Sequence, residues 1–91
     1  MQRVWVDFQN MGYEGVRLIC AGTLKDIDEK AIKLYDGLQL IVWQEDEDDN
    51  GNPDDLIVEA TVKYSEIDNC WVAQFDEDSL VNESQNNKFE E

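Results

Sequence analysis

The densest run of chemically able side chains is Glu45-Asp46-Glu47-Asp48-Asp49-Asn50-Gly51-Asn52-Pro53-Asp54-Asp55, with seven carboxylates in eleven positions. Carboxylates this close suit hard cations. Asp46, Asp48, Asn50 and Gly51 match the opening D-x-D-x-N-G of a calcium loop, in which alternate side-chain oxygens converge and glycine permits the sharp turn. The match then fails, because Ile57 stands where a bidentate glutamate is required and Pro53 interrupts the loop. Strands rather than helices are expected on both flanks. No metal site is therefore expected, and Asp46, Asp48 and Asn50 are the only candidates for one. The plainer reading is a solvated hairpin loop, with Asn50-Gly51 suited to a turn that demands positive φ. The same charges also suit docking on a basic partner.

Other catalytic arrangements are poorly supplied. Histidine is absent, which removes the commonest general base and every imidazole-dependent triad. Asp54 with Asp55, or Asp76 with Asp78, would make carboxylate pairs for acid–base work, but both lie in hydrophilic runs with no sheltered cleft to shift a pKa. Lys63 falls on the polar face of its segment beside Glu59 and Thr61, a poor setting for a nucleophile. Cys20 and Cys70 are far apart in apolar, alternating segments and read as reduced, buried thiols. The expectation is a protein with no catalytic residues and no cofactor.

Charge is the loudest compositional signal. The 91 residues carry 22 acids against 7 bases, a net charge of −15. Binding to nucleic acid phosphates or an anionic membrane surface runs against that sign, because affinity there comes from cations. The imbalance is also segregated: residues 1–44 hold five bases and six acids, whereas residues 45–91 hold two bases and sixteen acids. Any electrostatic function belongs to the second half. No secretory leader or membrane-length apolar stretch is evident, so a soluble, cytoplasmic protein is expected.

Hydrophobic content of 42% is enough for one packed core in a chain of this length. Period-two alternation marks strands at Arg3–Phe8, Val16–Gly22, Leu38–Trp43, Leu56–Tyr64 and Cys70–Phe75, the first two expected to form a hairpin. Thr23-Leu24-Lys25-Asp26 resembles a capping box, so a short helix is predicted over Leu24–Ala31, with i,i+4 ion pairs Asp26–Lys30 and Glu29–Lys33. Leu40, Val58, Ala60, Val62, Trp71 and Phe75 take the inward positions. Trp5, Ile41, Trp43 and Ile57 would then point outward as an apolar stripe, free for a partner or covered by the helix or the terminal segment. Asp76–Val81 reads as a helical turn, and residues 82–91 as a disordered polar tail beyond a single domain of residues 1–81.

These elements predict a mainly β protein with one short helix, arranged as a small five-stranded antiparallel barrel of the SH3-like or OB-like kind. Gly37-Leu38-Gln39-Leu40, Val58-Glu59-Ala60-Thr61-Val62 and Trp71-Val72-Ala73-Gln74-Phe75-Asp76 resemble a group of small uncharacterised bacterial proteins with such a barrel. That resemblance implies packing and carries no activity to any residue. The functional expectation is a non-enzymatic interaction or regulatory module that docks on a basic protein surface through Asp46, Glu47, Asp48, Asp49, Asp54 and Asp55 with Trp5 and Trp43. An alternative is a nucleic-acid mimic, as in phage or defence systems, whose carboxylates occupy the groove of a DNA- or RNA-binding protein. A calcium module through residues 46–55 is the third reading.

Overall fold

The cleanest alternation in the chain becomes its longest element. In the computed structural model, which describes residues 1–85, strand β4 runs over Leu56–Ser65 and pairs on both sides. Strand β3, Gln39–Gln44, lies antiparallel along one side and sets Leu40 opposite Ala60 and Val42 opposite Val58. Strand β5, Cys70–Gln74, lies along the other side with Ala73 opposite Val62. A short strand β6, Val81–Asn82, continues on that side with Val81 opposite Ile57. Between β5 and β6 the expected turn is a single turn of 3-10 helix, Glu77–Ser79, capped by the Asp76 carboxylate accepting from the Asp78 amide at 3.0 Å.

Two short strands complete the sheet. Strand β1, Arg3–Trp5, runs parallel to β3, and β2, Val16–Arg17, runs antiparallel to β5. The order β1-β3-β4-β5-β2, with β6 beside β4, makes an open six-stranded sheet rather than the expected closed five-stranded barrel. The sheet stays open because β1 pairs with β3 along one edge and has its other edge occupied by the Thr23 and Asp26 side chains, so neither the expected first hairpin nor closure onto β2 forms. Asn10 and Met11 turn back on β2 instead: Arg17 donates to the Asn10 carbonyl at 3.0 Å and Met11 bridges to Val16.

Helix α1, Ala21–Glu29, closes the other edge. It begins earlier than the capping-box reading predicts, because Thr23 has a different job. Its hydroxyl donates to the Trp5 carbonyl at 2.8 Å. One turn later the Asp26 carboxylate accepts from the Trp5 amide at 2.9 Å, and the Lys30 ammonium donates to the Arg3 carbonyl and pairs with Asp26 at 3.1 Å. Residues at spacings of three and four share one helix face, so three side chains supply what a neighbouring strand would have supplied. The helix ends because Ala31 takes φ 52°, which carries Lys33 away. The second i,i+4 pair is accordingly Lys25–Glu29 at 3.7 Å rather than Glu29–Lys33.

One sheet face forms the core, where Val4, Val42 and Val58 line up across β1, β3 and β4, and Val16, Ala73 and Val62 across β2, β5 and β4. Leu18, Leu40 and Ala60 are buried among them, while Trp71 and Phe75 are partly buried at the rim, Phe75 edge-to-face with Phe8. The residues expected as a tail begin with β6 and a 3-10 turn over Glu83–Gln85; residues 86–91 lie outside the described part. No helix among the described residues is long and apolar enough to cross a membrane.

Val62 is fully buried opposite Ala73. Val62→Asp should therefore abolish cooperative unfolding, since an unpaired buried charge costs several kcal/mol against a typical stability of about 5–15 kcal/mol. Retention of the parent melting temperature would show that the inward register is wrong. Asp26→Ala orphans the Trp5 amide and should lower stability by about 1–3 kcal/mol in urea titrations. Asp28→Ala, at an exposed position on the same helix, should stay within about 0.5 kcal/mol.

Candidate functional site

The acidic run is an ordered hairpin joining β3 to β4. Glu47 bridges to Pro53, the Asp54 amide donates to the Asp46 carbonyl at 2.8 Å, and the Asp48 amide donates to the Asn52 carbonyl at 2.9 Å. At the tip Gly51 takes φ 80°, as a turn of this kind requires. The Asp48 Oδ1 atom accepts from the amides of Asn52, foremost, and Asn50, both at 2.9 Å, which holds its carboxyl below the ordinary value of 3.8.

The base of the hairpin is braced from the far end of the chain. Asn82 donates its side-chain amide to the Asp46 carboxylate at 3.0 Å and to the Asp54 carbonyl at 2.7 Å. Ser84 donates its amide and hydroxyl to the Asp54 carboxylate at 2.9 and 2.7 Å. All these donors are neutral, so they fix the carboxylates without cancelling their charge. Asp46, Glu47, Asp48 and Asp49 remain exposed, whereas Asp54 and Asp55 are half-buried.

Two of the calcium candidates have other partners, Asp46 accepting from Asn82 and Asp48 from its own loop. Asp48 turns one carboxylate oxygen onto its own loop, and Ile57, at the twelfth position, is wholly buried. Among the described residues no group of three or more His, Cys, Asp or Glu is placed to hold a metal ion.

Trp5 and Trp43 are register partners on the sheet face opposite the core. The outward stripe expected there is not free. Ile41 and Ile57 are buried and both tryptophans are half-buried. Helix α1 meets Trp5 at Gly22, where a Cβ atom would lie 2.8 Å from the indole ring. The Trp5 indole Nε1 donates to both carboxylate oxygens of Glu45, at 3.0 and 2.8 Å. Trp5 thus joins the root of the acidic hairpin through Glu45.

A second polar cluster escaped the sequence reading. Glu14, from the loop before β2, accepts from the Ser65 hydroxyl at 2.8 Å and pairs with Lys63. Asp68, in the turn after β4, accepts from the amides of Tyr13 and Glu14 at 2.9 and 3.1 Å, and its own amide donates to the Ser65 hydroxyl oxygen at 3.0 Å. Hydrogen bonds from Lys63, then Ser65, hold the Glu14 carboxyl below its ordinary 4.5; the Tyr13 amide leads in lowering Asp68. Glu14 in turn raises the Lys63 amine. Every member is partnered, so the cluster stitches the loop before β2 to the β4–β5 turn and offers no free nucleophile. Desolvation first, and the Asp68 charge second, raise the Cys70 thiol, which suits an inert cysteine.

A carboxylate whose folded pKa is depressed stabilises the fold above its unfolded pKa and loses that contribution as pH falls through the folded value. The stability advantage of the parent over Glu14→Gln should therefore be full above pH 4.5 and close below it. Comparing the two proteins removes the background relief of self-repulsion that acid brings to both. A gap in urea midpoint that is independent of pH between neutrality and acid would disprove the role given to the Glu14 charge.

Comparison with known protein families, with curated proteins and with solved structures finds no match for this chain.

Proposed function

We propose that this protein is a non-enzymatic acidic docking module, which presents the ordered hairpin of residues 45–55 to a basic protein surface. One observation carries the reading. Among the described residues the ion pairs are Arg3–Glu83, Lys25–Glu29, Lys30–Asp26 and Lys63–Glu14, and none reaches any of the seven hairpin carboxylates. These pairs join distant segments of the frame, as in Arg3–Glu83 and Lys63–Glu14, or lie along α1, as in Lys25–Glu29 and Lys30–Asp26. Among the described residues the donors that brace the hairpin are neutral, so they fix its shape without pairing its charge.

Such a surface acts chiefly on association rate and partner choice, because long-range attraction steers encounter while exposed charges add little net affinity. A fixed geometry adds specificity, since fewer rotamers and loop conformers must be ordered on binding.

The test separates the hairpin from mere acidity by comparing two variants of equal net charge. One carries Asp46→Asn, Glu47→Gln, Asp48→Asn and Asp49→Asn, which keeps the side-chain acceptor at position 48. The other carries Asp28→Asn, Glu59→Gln, Glu66→Gln and Glu77→Gln, all at exposed positions. With an arginine- and lysine-rich polypeptide as probe, the hairpin variant should associate about tenfold more slowly than the parent at low salt and show a flatter salt dependence. The second variant should lose much less. Equal losses would reduce the hairpin to one part of a diffuse negative surface and overturn the proposal.

A further inference from the structure

Trp5 and Trp43 stand side by side where the root of the acidic hairpin meets helix α1, and a groove runs between the helix and these two rings. Its aromatic wall is held in place. Gly22 packs on one end of the Trp5 indole, Glu45 binds its Nε1 at the other, and the backbone of Trp5 is bonded on one edge to Thr23 and Asp26. The polar rim is mostly anionic, with Glu29 on the helix and Glu45 on the hairpin.

We propose that this groove receives an arginine side chain of the basic partner. The inference rests on the docking function and names the contact at its centre. A guanidinium is flat, stacks on indole faces and carries five donors in a rigid fork, so one group satisfies both the aromatic wall and the carboxylate rim. Lysine presents a compact, strongly hydrated charge that meets these surfaces less completely. Lys25 also lines the groove, paired with Glu29 at 3.7 Å, but the two side chains are 77% and 61% exposed. A pair this exposed is weak and easily exchanged. Lys25 therefore acts as a resident cation that the incoming arginine displaces from Glu29.

The experiment monitors the Trp5 indole N–H resonance of the full, isotopically labelled chain during titration with a hexa-arginine peptide, a hexa-lysine peptide and tetramethylammonium. The arginine peptide should shift this resonance saturably and bind several-fold tighter than the lysine peptide, with tetramethylammonium weakest. Glu45→Gln should weaken arginine binding by about five- to tenfold. Lys25→Ala should tighten it more than Lys33→Ala, which makes the same change in net charge outside the groove. No shift at the Trp5 indole, equal affinity for the two peptides, or equal effects of the two lysine substitutions would overturn the proposal. A tetramethylammonium response as strong as that of the arginine peptide would also overturn it, assigning the groove to quaternary ammonium groups. The hairpin-neutralised variant separates the two claims. If it associates as fast as the parent while the Trp5 response persists, the docking reading fails and the groove stands.

Discussion

The outer edge of β1 is closed by side chains, and the rest of the sheet depends on that closure. In a parallel pair successive residues turn their backbone groups to alternate sides. The Gln2 carbonyl and the Val6 amide face β3, while Arg3 and Trp5 face away from it. Left open, those groups would template pairing with another chain. Thr23, Asp26 and Lys30 meet them from one face of α1. The helix that protects the edge also brings Gly22 against the Trp5 ring, so edge protection and ring orientation share one cause.

A shortage of positive charge governs where ion pairs can be placed. With 7 bases to 22 acids, intramolecular neutralisation is possible for only a minority of the carboxylates. The fold places its ion pairs where they join distant segments, as in Arg3–Glu83 and Lys63–Glu14, or secure the helix, as in Lys30–Asp26. The acidic hairpin is stabilised differently, by Asn82, Ser84 and the amides of its own turn. Among the described residues, that division braces the hairpin without an ion pair to any of its carboxylates.

Much of this architecture was legible in the sequence where burial dictates period two. Leu56–Tyr64 and Leu38–Trp43 mark β4 and β3 to within a residue, and the buried positions Leu40, Val58, Ala60 and Val62 follow from their alternation. The misses share a physical origin: they turn on contacts between segments far apart in the chain. Thr23 and Asp26 resemble a capping pair locally, and only the neighbouring β1 backbone makes them edge partners instead. β6 is two residues long, too short for any periodicity, and exists because Ile57 and Leu56 offer it a pairing edge. The Glu14–Lys63 pair spans 49 positions, beyond the reach of any local pattern. The acidic site was legible as charge, but its bracing by Asn82 and Ser84 was not, since these residues look like ordinary tail composition.

Amide hydrogen exchange at Trp5 tests the closure of the β1 edge most directly. In the parent, the Trp5 amide, held by Asp26, should exchange slowly, as should the Val6 amide held by the Trp43 carbonyl. In Asp26→Ala, the Trp5 amide should approach the exchange rate of an unstructured chain while the Val6 amide stays protected. A Trp5 amide that already exchanges freely in the parent, or that remains protected without the Asp26 carboxylate, would contradict the account.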